Sequence, residues 1–196
     1  MTERLGQRGL DLLFFEARTF NNWQDKPVSP MAIKELANLM KWAPTSANCS
    51  PARLVFVRSE EAKDKLAATA MEANQPKIRS APVTVIIGHD LDFASHLPKL
   101  FPHTDAKSWF EGNAELTETT AFRNGTLQGG YFIIAARALG LDTGPMSGFD
   151  NDAVDKEFFA GTKIKSNFLC SIGYGDPKGM FDRSPRFDFD EFASVV

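Results

Sequence analysis

The sequence predicts an α+β domain. Segments with helical spacing dominate, three or so short apolar or β-branched runs sit between them, and the elements do not alternate regularly as strand, helix, strand. The first helix is expected over residues 5–17, with Leu10, Leu13, Phe14 and Ala17 on one face. Ser29-Pro30 pairs a capping hydroxyl with a proline at the first helical position. It opens a second helix that keeps its spacing through Ile33, Leu36, Ala37 and Met40 to Trp42. Pro44 and Pro51 bracket a loop, and Leu54 to Val57 reads as a strand. Ser59 caps a helix expected to reach about Met71, and Val83 to Ile87 is a buried strand. Residues 90–112 carry Pro98, Pro102 and aromatic residues, and read as short helices lying over the core. The longest helix is expected from about Glu115 to Leu139, ended by Gly140. Gly125, Gly129 and Gly130 cost it propensity, which is tolerable where another backbone must pack very close. Gly144 to Gly148 is expected to be a turn, Asp150 to cap a helix ending at Phe159, and 167–174 to be the last strand.

Bulk properties exclude several classes. A chain of 196 residues fits one domain, 1–196, with a core that needs no staples. A formal net charge of -3 and scattered basic residues offer no field for nucleic acid or an acidic membrane. The apolar stretch from Tyr131 stops at Arg137, far short of a membrane span. Cys49 and Cys170 are far apart and have no zinc spacing, so no metal is expected. With a charged N-terminus that lacks an apolar signal region, they point to a reducing, cytoplasmic location. Gly173-Tyr174-Gly175 has its third glycine one place too late for a dinucleotide fingerprint. The serine of Gly144-Pro145-Met146-Ser147-Gly148 is not in a nucleophile elbow. His89, His96 and His103 repeat every seven residues, but Pro98 and Pro102 break any shared helix, and surface or loop histidines are expected.

Four segments, in this order and spacing, together resemble the nitroreductase family over nearly the whole chain. The first is Ala17-Arg18-Thr19-Phe20-Asn21, in which Arg18 and Thr19 match an Arg-Ser pair, Ala17 replaces a first arginine, and Asn21 stands where a basic residue is common. A guanidinium fork suits a phosphate; alone, Arg18 could equally be a helix C-terminal charge. The second is residues 44–51, where Ser46 and Asn48 match a loop that lines flavin and dimer partner; local turn bonding would ask for the same residue types. The third is Asn74 with Lys77, which the resemblance sets against the flavin ring, where a cation would favour its reduction; otherwise Lys77 is a solvated lysine. The fourth is residues 140–150, where Pro145, Met146, Ser147 and Gly148 would pass along the ring, the Ser147 amide donating to flavin N5. Arg183 and Arg186 resemble the terminal basic residues that complete the phosphate site.

Further segments, including Leu100-Phe101-Pro102-His103, Ser108-Trp109-Phe110 and Ala121-Phe122-Arg123-Asn124, are similar to the branch that reduces malonic semialdehyde to 3-hydroxypropanoate in pyrimidine degradation. The resemblance therefore implies a central, mainly antiparallel sheet flanked by helices in an intertwined homodimer. It also implies bound FMN, NADPH or NADH as co-substrate, and a small aldehyde acid as substrate. Arg53, His103, Trp109 and Arg123 are the candidates for substrate contact. A broad nitroaromatic or quinone reductase, and a flavin-binding protein without turnover, are the alternatives.

Overall fold

The computed structural model describes residues 3–196. Eight α-helices are assigned among these residues: α1 (Gln7–Leu10), α2 (Pro30–Met40), α3 (Glu60–Ala68), α4 (Gln75–Ser80), α5 (Leu97–Leu100), α6 (Ala114–Ala138), α7 (Asn151–Phe158) and α8 (Phe189–Phe192). Four strands, β1 (Ala52–Val57), β2 (Val83–Asp90), β3 (Asp142–Met146) and β4 (Ile164–Gly173), form one sheet in the order β1-β2-β4-β3. Every neighbouring pair is antiparallel. The expected α+β architecture is thus present, and β1 and β3 are the sheet's two edges.

β2 is buried along its whole length, and its side chains alternate between two cores because the strand period is two. Val83, Val85 and Ile87 join Leu36 of α2 and Phe132 of α6 on one face. Ile86 and Leu169 join Leu66 of α3, Ile78 of α4 and Val154 of α7 on the other. Each such fully buried side chain contributes roughly 1.5–3 kcal/mol of transfer free energy. Thr84, in phase with the second face, bonds Ser171 across the strands at 2.8 Å. A third, smaller cluster around Cys49, Phe93, Leu97 and Ala121 anchors the short helices of residues 93–110.

The capping signals of the sequence operate as expected. Ser29 accepts from the Ala32 amide, Ser59 from Ala62 and Asp150 from Ala153, at 3.0 to 3.2 Å; each cap stabilises its helix by about 1 kcal/mol. The expected close backbone approach to α6 is met at Gly125 alone; at Gly129 the close neighbour is a side chain, and at Gly130 there is none. A Cβ on Gly125 would lie 2.8 Å from the His89 Cβ, and one on Gly129 would lie 2.5 Å from the Phe168 ring, whereas Gly130 meets nothing within 4 Å.

Several expectations are corrected. Residues 142–146 are an edge strand, not the start of a turn: Gly144-Pro145 is turn chemistry, but an edge position spares proline's missing N–H. Gly144 is required there by the backbone carbonyl of Phe20, which occupies the place of a Cβ. The first helix is a single turn followed by a π turn, Asp11–Phe15, closed by Glu16 N donating to Asp11 O at 2.8 Å. The helix after Ser59 stops at Ala68, and Gln75–Ser80 is helical, with Pro76 in its first turn. His89 is a strand residue only 5% exposed rather than a surface histidine. Burial lowers its pKa; the Asp155 and Glu118 charges oppose that effect.

Candidate functional site

β3 positions the first part of the site. Thr19 bridges to Thr143, and Phe20 N donates to Thr143 O at 3.0 Å, so the chain after Arg18 covers the start of this edge strand. Alternate residues of a strand present their backbone groups to the same side. The side that Thr143 turns toward Phe20 is therefore the side that Pro145 turns to the open edge; Ser147 follows directly after the strand and is exposed. The Thr143 hydroxyl is buried there without a partner.

At one end of this edge is a hollow of about 270 Å³. Arg18, Thr19, Asn21, Arg183 and Arg186 line it, as the sequence anticipated, and so does Arg137 from the last turn of α6. The guanidinium groups here bond backbone carbonyls: Arg18 to Phe181, Arg183 to Phe15 (2.7 Å) and Ala17 (3.1 Å), Arg186 to Ser184 (2.9 Å) and Pro185 (3.0 Å), Arg137 to Leu13 (2.9 Å). None of the four forms a salt bridge among the described residues. Asp182 also lines the hollow but pairs with none of them; cations gathered with their charge unmatched make a site for an anion, and planar forks suit phosphate oxygens.

About 13 Å further along the extended strand, the second part assembles. Asn74 donates through Nδ2 to Gly148 O at 3.1 Å and accepts from Lys77 Nζ at 3.1 Å, tying α4 to the chain that leaves Met146 and Ser147. An anion hollow near the start of β3 and a lysine held by an asparagine just past its end thus flank the same sheet edge. The phosphate, ribityl chain and ring of FMN fit that order.

The remaining candidates lie elsewhere. Ser46 and Asn48 belong to the loop that feeds β1, the opposite edge, three strand spacings or roughly 14 Å across the sheet. Ser46 N donates to Asn124 Oδ1 at 2.9 Å and Asn48 Nδ2 to Leu100 O at 2.8 Å. Ala47, Asn48 and Ser50 all have φ between 40° and 49°, a left-handed geometry that costs non-glycine residues energy. Cys49 is buried beneath them, and burial pushes its thiol up to about 11, which makes it a poor nucleophile. Arg53 donates to Asp90 Oδ2 at 2.6 Å and to the carbonyls of Ser50 and Ala52, so its charge is matched. His103 and Trp109 both lie edge-on to Phe101, and Trp109 is 51% exposed rather than core. Arg123 lines a separate cleft of about 990 Å³ with His89, Phe122, Glu118 and Asp155 and has no salt bridge among the described residues. Sequence reasoning missed Arg137 and Thr143. The trace of Arg137 was a lone charge interrupting an apolar helix end.

A sequence profile described as the nitroreductase family matches residues 16–175. The chain belongs to the nitroreductase family. A Burkholderia lata relative named as an NADH dehydrogenase/NAD(P)H nitroreductase is 61% identical over 97% of this chain and 98% of its own length. A Stenotrophomonas maltophilia relative with the same name is 59% identical over the full length of both. Among solved nitroreductase-family structures, one from Bacillus subtilis superposes with a TM-score of 0.89 at 22% identity, over 97% of this chain and 100% of that one. One from Exiguobacterium sibiricum, a complex with FMN, superposes with a TM-score of 0.85 at 19% identity over the whole of both chains. No helix among the described residues is long and apolar enough to cross a membrane.

Proposed function

We propose that this chain is an FMN-dependent NAD(P)H oxidoreductase that reduces malonic semialdehyde to 3-hydroxypropanoate, a step of pyrimidine degradation, in the cytoplasm. The observation that carries the flavin part is the hollow of four arginines, none of them in a salt bridge among the described residues, at one end of β3, with the Asn74–Lys77 pair at the other. The names of the relatives and the FMN complex of a structural neighbour support it. When bound, FMN supplies a carrier that takes hydride from NAD(P)H and gives it to the aldehyde carbon, a proton completing the alcohol. The chain's own work is positional. Arg18, Thr19, Asn21, Arg183 and Arg186 hold the phosphate, Ser147 offers its amide to the ring's N5 edge, and Lys77 places a cation beside the ring. Pro145, Met146 and Gly148 form the backbone surface against it.

The second chain of a homodimer supplies the rest of this site in our reading. Ser46 and Asn48 cannot reach the Ser147 edge of their own sheet, since β1 and β3 are opposite edges. α6 also turns Phe122, Leu127 and Tyr131 outward, each at least 40% exposed, around Gly130, where one chain gives no reason for a glycine. A second α6 packed closely there accounts for both. Light scattering should then give about twice the 21.7 kDa of one chain, and Gly130→Arg should yield a monomer with impaired FMN binding; a fully active monomer removes the dimer.

The substrate assignment rests on the segments quoted above. Arg123, which carries no salt bridge among the described residues, is our choice for the substrate carboxylate; His103 and Trp109, packed on Phe101, remain candidate contacts, and Arg53 is engaged by Asp90. The shared nitroreductase name of the relatives favours a second reading, a broad nitroaromatic or quinone reductase. NADPH-driven turnover of malonic semialdehyde, propionaldehyde, a nitroaromatic and a quinone separates them. Malonic semialdehyde should exceed propionaldehyde in kcat/KM at least tenfold, and Arg123→Met should abolish the preference. Equal rates for the two aldehydes refute carboxylate recognition and leave the broad reductase. Flavin binding without NAD(P)H oxidation by any acceptor would leave a flavin-binding protein only.

A further inference from the structure

Arg137 is a cation whose buried guanidinium nitrogen nothing among the described residues engages. It stands one residue before the end of α6, directly after the buried Ala135 and Ala136, so a charge is held at the edge of an apolar helix face. Its Nη1 donates to the carbonyl of Leu13 at 2.9 Å, but its Nε is buried and has no partner. A neutral amide side chain could serve the Leu13 carbonyl. A buried, unpartnered N–H on a guanidinium is costly unless something else accepts from it. No carboxylate forms a salt bridge with it among the described residues. Arg137 faces the 270 Å³ hollow with Arg18, Arg183 and Arg186, and an adjoining pocket of about 80 Å³ with Arg18 and Asp142. Asp182 and Asp142 line these spaces, yet neither approaches any of the four arginines within salt-bridge distance. Burial, and then the charge of Arg183, act to lower Arg137's pKa, opposed by Cys170 and Asp142. Arg183 and Arg186 are exposed and lie on the chain's C-terminal segment, whereas Arg137 is anchored in a 25-residue helix. Of the four it is the cation best held in place before a ligand arrives.

We propose that Arg137 is a direct ligand of the FMN phosphate and the residue that makes this site prefer a phosphorylated flavin to riboflavin. The inference rests on the FMN reading above and adds a contact from the central helix to those anticipated from the chain's two ends. A phosphate monoester in the hollow neutralises the gathered charge and accepts from the part of the Arg137 guanidinium that Leu13 leaves free, while riboflavin, which lacks the dianion, does neither.

The test is titration of the full chain with FMN and with riboflavin, followed by flavin fluorescence, for wild type, Arg137→Gln and Arg137→Lys. Arg137→Gln keeps a donor for Leu13 and removes the charge. Wild type should bind FMN far more tightly than riboflavin. Arg137→Gln should weaken FMN 10- to 100-fold while riboflavin changes less than twofold, and Arg137→Lys should recover part of the loss. Circular dichroism and the flavin-free thermal midpoint verify folding. Inorganic phosphate gives a readout on the unaltered chain: it should compete with FMN and leave riboflavin binding untouched. Equal losses for both flavins would make Arg137 a mere tether for residue 13 and overturn the inference, as would FMN binding unaffected by Arg137→Gln or by phosphate. A raised KM for NADPH but not NADH, with FMN affinity intact, would assign the anion to the nicotinamide's 2′-phosphate and also overturn it. A wild-type chain that binds neither flavin removes the FMN reading itself; tight FMN binding with an unchanged Arg137→Gln removes this inference alone.

Discussion

Gly125 fixes how closely α6 lies on the central strand, and Gly125→Ala tests whether that spacing holds the site together. The added Cβ would sit 2.8 Å from the Cβ of His89, while ordinary contact begins at 3.4 Å, so helix and strand must part by about 0.6 Å. The obstructing atom is next to the backbone of a buried strand and cannot swing aside. Alanine gains about 1 kcal/mol of helix propensity, and overpacking costs roughly 1–3 kcal/mol. A net loss of about 1 kcal/mol is expected, or about 2–4 °C in Tm for a chain of this size. Because the two effects oppose each other, the decisive quantity is the coupling. His89→Gly removes the atom that is struck, so Gly125→Ala/His89→Gly should be more stable than the sum of the single changes by at least about 1 kcal/mol. The assay is urea unfolding of the four proteins at constant FMN. Arg137 lies twelve residues further along the same helix, about 18 Å away, so Gly125→Ala should also weaken FMN retention, with His89→Gly partly restoring it. Additivity within about 0.5 kcal/mol would refute the reasoning, since no contact would then be responsible for the glycine.

Two further outcomes are expected. Lys77→Ala removes a cation that Asn74 holds beside the proposed ring position; the bound flavin's midpoint potential should fall by on the order of 30 mV, equivalent to about 1.4 kcal/mol for two electrons, while FMN affinity changes little, as spectroelectrochemistry and titration would show. His89 has its folded pKa lowered below 6.5 by burial, so on acidification the unfolded chain takes up this proton first. Stability should therefore fall as pH drops below about 6.5, by at most about 1.4 kcal/mol per unit, and level off below the folded value; His89→Gln should flatten that part of the Tm–pH curve, and an unchanged slope would contradict the assignment.

The legible parts of the fold were those written in local chemistry. Ser29-Pro30, Ser59 and Asp150 each announce a helix by a short-range hydrogen bond, and the β-branched run from Val83 announces a strand buried on both faces. β3 was hidden because Gly144-Pro145 has the composition of a turn, and only its place at the sheet's edge makes it a strand. The π turn was hidden because a single i→i+5 turn is too short to change a helical hydrophobic pattern detectably. Of the site, residue types were readable but convergence was not. Arg18, Arg183 and Arg186 could be marked one by one, whereas Arg137 entered the hollow only once α6 had been laid across the sheet. The separation of Ser46 and Asn48 from Ser147 likewise depends on strand order, which no local pattern encodes.

The carbonyl contacts of the arginine hollow also bear on the protein's resistance to proteolysis. Arg18 grips the backbone at Phe181, and Arg183 grips it at Phe15 and Ala17, so residues 15–18 and 181–183 are buckled to one another at the spot where an anion would sit. A phosphate drawn into that buckle would tighten both segments at once; without it, like charges push against the clasp. Resistance of both segments to an added protease should then rise when FMN is supplied. A fusion partner or truncation that disturbs residues after Asp182 would unfasten the beginning of the chain as well.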